Sequence, residues 1–256
     1  MNSMRGLVLI LFISHFLGDY YLQTDKMAES KEIKHKDLFL HFLIYLVLSS
    51  VLVFIFYGSD YLIIPIIVSF AHMAIDFIKG KKKPKYQNSK FSIYALDQLL
   101  HIVSIIVIAY IFANKSSLVF NLIIESFLND FSIDTAILTE KILAIIILIK
   151  PASISVSLFL EGFDYEFLDK DTLNKSDDNK GKQIGLKNAG HTIGVLERLI
   201  IYSLASAGQF AAIGFILTAK SITRYGKISE DAAFGEYYLI GTLFSLMLVI
   251  PLVLIL

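Results

Sequence analysis

The sequence predicts an all-α protein, a polytopic transmembrane bundle of about six to eight membrane segments. The 256-residue chain is 55% hydrophobic, and its mean hydropathy of +0.66 is well above that of a soluble domain with a charged surface. Its apolar stretches repeatedly reach about 20 residues, the length that crosses a bilayer as a helix. The formal net charge is zero, and no long basic run alternates with aromatic residues. We therefore expect membrane lipids and no nucleic acid as partners.

Four predicted spans make up the first half of the chain. Charged or turn-forming connectors separate them, and residues 1–113 are predicted to form a four-helix membrane core, with spans at about 4–22, 38–57, 61–78 and 91–113. Lysine-rich connectors favour the cytoplasmic side, so residues 25–37 and 79–90 are expected there.

The second half of the chain is less regular. Residues 114–160 predict an interfacial amphipathic helix followed by a membrane helix, which Lys141, Lys150 and Pro151 interrupt. Residues 161–190 lack apolar periodicity and predict a flexible polar cytoplasmic loop. Residues 191–256 predict C-terminal membrane helices, at about 192–219 and 239–256.

A histidine and an aspartate four residues apart recur in three spans of the first half. The pairs are His15 with Asp19, His72 with Asp76, and Asp97 with His101, and the remaining span carries His41. Residues at i and i+4 lie on one face of a helix, so each pair presents an imidazole beside a carboxylate. An aspartate at the centre of a spanning helix costs about 2.5 to 3.5 kcal/mol, so these faces should point into the bundle.

The order of the two residue types alternates with chain direction. Spans that run toward the lysine-rich connectors have His before Asp, and the span that runs away has Asp before His. All aspartates therefore lie nearer these connectors, with each histidine about 6 Å deeper. This shared depth predicts one site in one leaflet, formed by His15, Asp19, His41, His72, Asp76, Asp97 and His101.

The chemistry of these side chains predicts a divalent metal site. The chain has no cysteine, so thiolate ligands and disulfides are excluded. Imidazoles beside carboxylates suit Zn²⁺, or Mn²⁺ or Fe²⁺. With an open coordination position such a site can hydrolyse a lipid or lipid-linked substrate at this depth, and the candidate catalytic carboxylates are Asp19, Asp76 and Asp97.

Two other functional classes remain open. A proton- or metal-coupled transporter would use the same residues as a relay, but it would place polar groups at several depths. A membrane scaffold or sensor would use the His/Asp core structurally and recruit a cytoplasmic partner through residues 161–190. A homo-oligomer is compatible with each class.

The motifs resemble, in the same order, those of an uncharacterised family of bacterial integral membrane proteins defined by a domain of unknown function. They are HFLGDYYLQTD at 15–25, LH at 40–41, HMAID at 72–76 and LDQLLH at 96–101. The second half is similar to the C-terminal extension of longer members. The resemblance implies a multi-pass protein of the bacterial cytoplasmic (inner) membrane.

More loosely, His-x-x-x-Asp on membrane helices is similar to the pattern of inner-membrane metal-dependent hydrolases, an analogy that implies hydrolysis.

Charged residues also occur in the C-terminal apolar segments. Glu197 and Arg198 open one of them and can pair across the bundle with Lys220, Arg224 or Glu236. The run 214–224 could form a basic rim for an anionic head group or a nucleotide-like ligand. Close packing and interfacial snorkelling are the favoured explanation of these residues.

Overall fold

The computed structural model describes residues 3–31, 34–80, 90–115, 121–163 and 189–255. All regular structure in these residues is helical, which confirms the predicted all-α class. Six stretches of these described residues are long and apolar enough to cross a membrane, in agreement with the predicted six to eight segments, and they identify a multi-pass membrane protein. They are Met4–Leu22, His35–Tyr57, Ser59–Gly80, Lys90–Asn114, Thr135–Leu160 and Ala232–Ile255.

The chain forms two compact units that divide between Pro151 and Ala152. This division lies inside the predicted 114–160 segment, at the first residue of helix α8 (Pro151–Leu160). Proline is tolerated at such a first position because its missing N–H would have no partner within the helix. The first unit contains α1 (Ser3–Phe16), α2 (Asp25–Ser30), α3 (His35–Tyr57), α4 (Ile63–Gly80), α5 (Lys90–Lys115), α6 (Leu122–Asp130) and α7 (Thr135–Ile149).

Helix α1 is the centre of the first unit. It packs against α3, α5 and α7, while α3 packs on α4 and α4 on α5. The stretch Met4–Leu22 is 61% buried by protein, against 22–33% for the spans of α3, α4 and α5, so only α1 is largely shielded from lipid. The buried apolar core around α1 consists of Leu7, Ile10, Leu11, Tyr45, Val53, Tyr57, Ile64, Val68, Ile105, Ile108 and Ala109.

Most of this apolar core occupies the half of the bundle that faces away from the lysine-rich connectors. On α1 and α4 its members precede the histidine of each pair, and on α5 they follow it. Burial against lipid gains little from the hydrophobic effect, so dispersion contacts in this tightly packed half are what hold the helices together.

The end of α1 continues directly into a π-helix, Leu17–Leu22. Short π-helical turns inside α-helices are frequent at functional sites, because they re-aim the side chains of one turn. Here the π-turn carries Asp19. A Cβ atom on Gly18 would lie 3.1 Å from Cδ2 of Tyr45, so the missing side chain lets α3 approach. Tyr45 is fully buried and stacks on His72 with 4.2 Å between the ring centroids.

The second unit contains α9 (Ala189–Ser206), α10 (Phe210–Thr223), α11 (Tyr225–Glu230) and α12 (Ala232–Ile255), and α12 packs on α9 and α11. The predicted single segment at 192–219 is wrong, because two helices separated at Ala207–Gln209 replace it. Gly208 has φ +71°, a left-handed conformation that ends a helix and that glycine adopts without a Cβ clash.

The last span begins earlier than predicted, at Ala232 instead of residue 239. The side chain of Asp231 accepts a hydrogen bond from the backbone N–H of Phe234 at 3.0 Å and so caps the first turn of α12.

Three predicted features lie wholly or largely outside the described residues. They are the basic run at 81–85, the start of the amphipathic segment at 116–120, and the polar loop, of which 164–188 are not described.

We expect Gly18→Val to lower the thermal stability of the protein, since the new side chain collides with the buried ring of Tyr45. Overpacking of this kind costs about 1 to 3 kcal/mol. Gly214→Val is the matched control, because nothing lies within 4 Å of a Cβ at Gly214. The measurement is loss of the monodisperse peak in size-exclusion chromatography after heating in detergent. Equal losses for both variants would contradict the close approach of α3.

Candidate metal centre

The structure brings the seven predicted site residues together from four helical segments. His15 lies on α1 and Asp19 on the π-turn, His41 on α3, His72 and Asp76 on α4, and Asp97 and His101 on α5. The four histidines are 0–2% exposed, Asp76 is 4% and Asp97 is 5% exposed. The side chain of Asp19 is 10% exposed. The cluster is therefore almost completely shielded.

Four atoms at the centre of the cluster form a compact cage. His41 Nε2 and His72 Nε2 lie 3.0 Å apart. Oδ1 of Asp19 is 3.2 Å from each of these nitrogens, and Oδ2 of Asp76 is 3.5 Å from one and 3.4 Å from the other. Ligands at 2.0 to 2.2 Å from a tetrahedral metal lie about 3.3 to 3.6 Å apart. The separations that involve the two imidazole nitrogens are thus close to those of a four-coordinate ion.

Two further groupings adjoin this cage. His15, Asp19 and His72 form one, and Asp76, Asp97 and His101 form the other, each with ligand atoms within 4.8 Å of one another. They share Asp19, His72 and Asp76 with the cage. The cluster therefore offers more donor atoms than one tetrahedral ion needs, and shared carboxylates are the means by which proteins hold two ions about 3.5 to 4 Å apart.

Two lysines neutralise carboxylates of the cluster. Lys31, which follows α2, places Nζ 2.8 Å from Oδ2 of Asp76 and 3.1 Å from the side-chain oxygen of Gln23. Lys79 lies 3.1 Å from Oδ2 of Asp97. Burial lowers the pKa of Lys31, but the carboxylates of Asp19 and Asp76 raise it by more, so it ends above its usual value and the ammonium stays charged.

The tautomer of His101 follows from its hydrogen bond. Its Nδ1 lies 2.8 Å from the backbone carbonyl oxygen of Asp97, which can only accept, so Nδ1 carries the proton. The lone pair of Nε2 is then free to bind a ligand or a proton. Metal-ligating histidines commonly have this arrangement, in which the second ring nitrogen donates to a carbonyl.

Several polar atoms of the cluster are buried without a hydrogen bond among the described residues. They are His15 Nδ1, Asp19 Oδ1, His41 Nδ1, His72 Nδ1, Asp97 Oδ1 and His101 Nε2. An unsatisfied buried polar group costs about 1 to 3 kcal/mol, and native proteins rarely concentrate such groups at one place. Of these atoms Asp19 Oδ1 belongs to the cage, where imidazole nitrogens and carboxylate oxygens together form a donor set that fits a divalent cation.

Sequence reasoning missed four residues of the site. Gln98 and Tyr45 could have been found, because each lies on the helical face of a site histidine: Gln98 three residues before His101, and Tyr45 four after His41. The oxygen of Gln98 lies 3.2 Å from Nε2 of His15. Lys31 and Lys79 carry no such signal, since each is one of several lysines in a connector.

The comparison with protein families matches the part of the chain that holds this cluster. Residues 7–128 match the family model described as "Protein of unknown function (DUF3307)". The matched range includes all seven cluster residues and supports the resemblance of the first half to an uncharacterised domain. Searches of curated proteins and of solved structures each found no match.

We expect Lys31→Ala to destabilise the metal-free protein strongly, because it leaves Asp76 without its ammonium partner in a buried position. Removing one member of a buried ion pair costs about 3 to 5 kcal/mol. Lys34→Ala is the matched control, since Lys34 is exposed. Denaturation by SDS in mixed micelles with EDTA present measures the free energy of unfolding. Similar values for the two variants would contradict a buried Lys31–Asp76 pair.

Proposed function

We propose that the His/Asp cluster binds a divalent metal ion and that the protein is a metal-dependent hydrolase of a lipid or lipid-linked substrate. The supporting observation is the cage of two imidazole nitrogens and two carboxylate oxygens, in which the nitrogens lie 3.0 Å apart and each lies 3.2–3.5 Å from both oxygens. Such a mixed nitrogen and oxygen set favours Zn²⁺, and Mn²⁺ or Fe²⁺ accept the same ligands.

The residues of the cluster divide into two roles in this proposal. Asp19, His41, His72 and Asp76 would hold the metal, and reactivity requires that one of the two carboxylates leaves a coordination position to water. A metal with such an open position would lower the pKa of the bound water and polarise a phosphoryl or carbonyl oxygen. Asp97 lies outside the cage and has a buried oxygen without a hydrogen bond among the described residues. We assign to this oxygen the role of general base, which accepts a proton from the attacking water.

The charge of the cluster favours an anionic substrate. Three carboxylates and the ammonium groups of Lys31 and Lys79 lie together, so the cluster with neutral histidines has one net negative charge. A divalent cation reverses this sign and leaves one net positive charge, which attracts a phosphate-bearing head group. A bacterial inner-membrane location, taken from the resemblance, belongs to the same proposal.

A transporter is the second candidate. The observation in its favour is that buried serines lie deeper in the bundle than the histidines. Ser69 lies one helical turn deeper than His72, and its Oγ is 3.5 Å from Oγ of Ser49. However, the Ser49 hydroxyl donates to the carbonyl of Tyr45 at 2.8 Å, and the apolar core packs beyond it. A polar cluster bounded on its deep side by apolar packing supports hydrolysis better than passage across the bilayer.

A scaffold with a structural metal is the third class. Its predicted cytoplasmic partner would bind through residues 161–190, of which 164–188 lie outside the described residues. A structural ion has all its positions filled by protein. The adjoining groupings of this cluster offer donors for a second ion beside the first, and paired ions are typical of hydrolytic sites. This supports a reactive centre.

We expect protein purified in mild detergent to contain near-stoichiometric Zn, Mn or Fe by elemental mass spectrometry. His72→Ala removes a residue common to the cage and one adjoining group, so its metal content should fall at least about tenfold, the result of losing 1.4 kcal/mol or more of binding. His35→Ala is the control, because His35 is exposed. Equal metal contents in both variants, or none in the unmodified protein, would contradict the proposed site.

We expect the metal-loaded protein to hydrolyse an anionic phospholipid in vesicles, followed by ³¹P NMR with phosphatidic acid and phosphatidylglycerol as probes. Asp97→Asn should lower kcat by about 10² to 10⁴-fold and keep the metal, because it removes only a proton acceptor. Asp60→Asn, on an exposed turn beyond α3, is the control. Bound metal with ion flux into proteoliposomes and no lipid turnover would instead identify a transporter.

A further inference from the structure

A polar cavity lies within the unit Ala152–Ile255. Its volume is about 540 Å³, and its lining comes from α8, α9, α10, α11 and α12. Cavities of several hundred Å³ that combine apolar walls with a few convergent polar groups are typical ligand sites.

The basic residues of this unit converge on the cavity. Every lysine and arginine in residues 152–163 and 189–255, the described part of the unit, lines it: Arg198, Lys220, Arg224 and Lys227. Five acidic residues occur in the same described part, and of these only Glu197 lines the cavity. The lining therefore carries four positive charges against one negative charge, with His191 neutral.

The deepest cation is anchored and cannot snorkel to water. Arg198 is 3% exposed, its Nη2 donates to Oγ of Ser153 at 2.5 Å, and its Nη1 lies 3.5 Å from Oγ of Ser245. A snorkelling arginine keeps its charged head in water, so burial of the whole side chain contradicts that explanation. The expected packing-and-snorkelling role is thus replaced for Arg198 by a polar role inside the unit.

Lys220 and Lys227 are held in position at the cavity. Lys220 donates to Oε2 of Glu197 at 2.6 Å, a predicted pairing that the structure confirms, and to Oγ1 of Thr242 at 3.2 Å. Nζ of Lys227 lies 4.7 Å from the ring centroid of Phe234. Side chains fixed in this way lose little conformational entropy when an anion binds.

One face of α12 forms a long wall of the cavity. Its lining positions follow helical spacing: Phe234, Tyr237, Tyr238, Gly241, Thr242 and Ser245. From the first to the last the wall extends about 17 Å along the helix. Val156, Leu160 and Ile193 add apolar surface to the lining. The cavity thus offers both an anion site and an apolar surface.

We infer that this cavity binds a ligand that carries one or more phosphate groups. Arginine and lysine recognise phosphate by charge-assisted hydrogen bonds, and the guanidinium of Arg198 can form two in parallel. The ligand is either a phospholipid head group, whose acyl chain would use the apolar wall, or a free phosphate compound. The inference is independent of the proposed hydrolase activity, since it concerns other residues in the other unit.

The test uses a single-tryptophan reporter. The chain contains no tryptophan, so Phe234→Trp places one fluorophore on the cavity wall and keeps an aromatic ring beside Lys227. The reporter protein is titrated in a neutral detergent with EDTA present, which removes any contribution of bound metal. The probes are inorganic pyrophosphate, dihexanoyl phosphatidylglycerol, and dihexanoyl phosphatidylcholine as the lipid without net charge.

We expect a saturable fluorescence change with pyrophosphate, with phosphatidylglycerol, or with both, and a much weaker one with phosphatidylcholine. Response to pyrophosphate alone identifies a free phosphate compound, and response to phosphatidylglycerol alone identifies a head group. In the reporter, Arg224→Gln and Lys227→Gln should each weaken binding about tenfold, the effect of losing roughly 1.4 kcal/mol.

Lys141→Gln is the matched control, because it removes the same charge from an exposed position of α7. Its affinity should equal that of the parent reporter. A saturable response to phosphatidylcholine as strong as that to phosphatidylglycerol, no response to either pyrophosphate or phosphatidylglycerol, or equal weakening by Lys141→Gln would overturn the inference. None of these results depends on lipid hydrolysis, so failure here and failure of the proposed hydrolase are distinguishable.

Discussion

Burial of three carboxylates inside an apolar bundle is the constraint on which the first unit depends. Asp76 and Asp97 are almost fully shielded, and the side chain of Asp19 is 10% exposed. Charges in such surroundings need partners, and here Lys31, Lys79 and the histidines supply them. The same groups leave several polar atoms unsatisfied among the described residues, and the imidazole and carboxylate donors that meet at the centre are those of the proposed metal site.

Close packing of the surrounding helices shields these carboxylates. Helix α1 can carry both a histidine and a carboxylate into the centre because α3, α5 and α7 cover it. The absence of a side chain at Gly18 brings Tyr45 against the π-turn, and the tyrosine ring in turn stacks on His72. A change at one contact is therefore expected to disturb the orientation of the imidazole beside it, since rings in a packed core have few alternative rotamers.

The second unit also buries a charged side chain, and here the charge is positive. Arg198 is buried, and hydroxyl groups of Ser153 and Ser245 take its guanidinium hydrogen bonds. Around it the remaining cations of the described residues share one cavity with a single carboxylate. The two units thus differ in the ligand they favour: the first concentrates acidic and imidazole groups suited to a cation, and the second concentrates cations suited to a phosphate.

The sequence by itself determined the all-α class, the positions of most spans and the common depth of the His/Asp pairs. These properties are local, because hydropathy and helical period depend only on neighbouring residues. The tertiary structure alone decided that Nε2 of His41 meets Nε2 of His72, that Lys31 reaches Asp76, and that Gly208 divides an apolar segment. Such contacts join residues far apart in the chain, and they depend on helix rotation, packing distance and a single backbone angle, which composition and spacing do not specify.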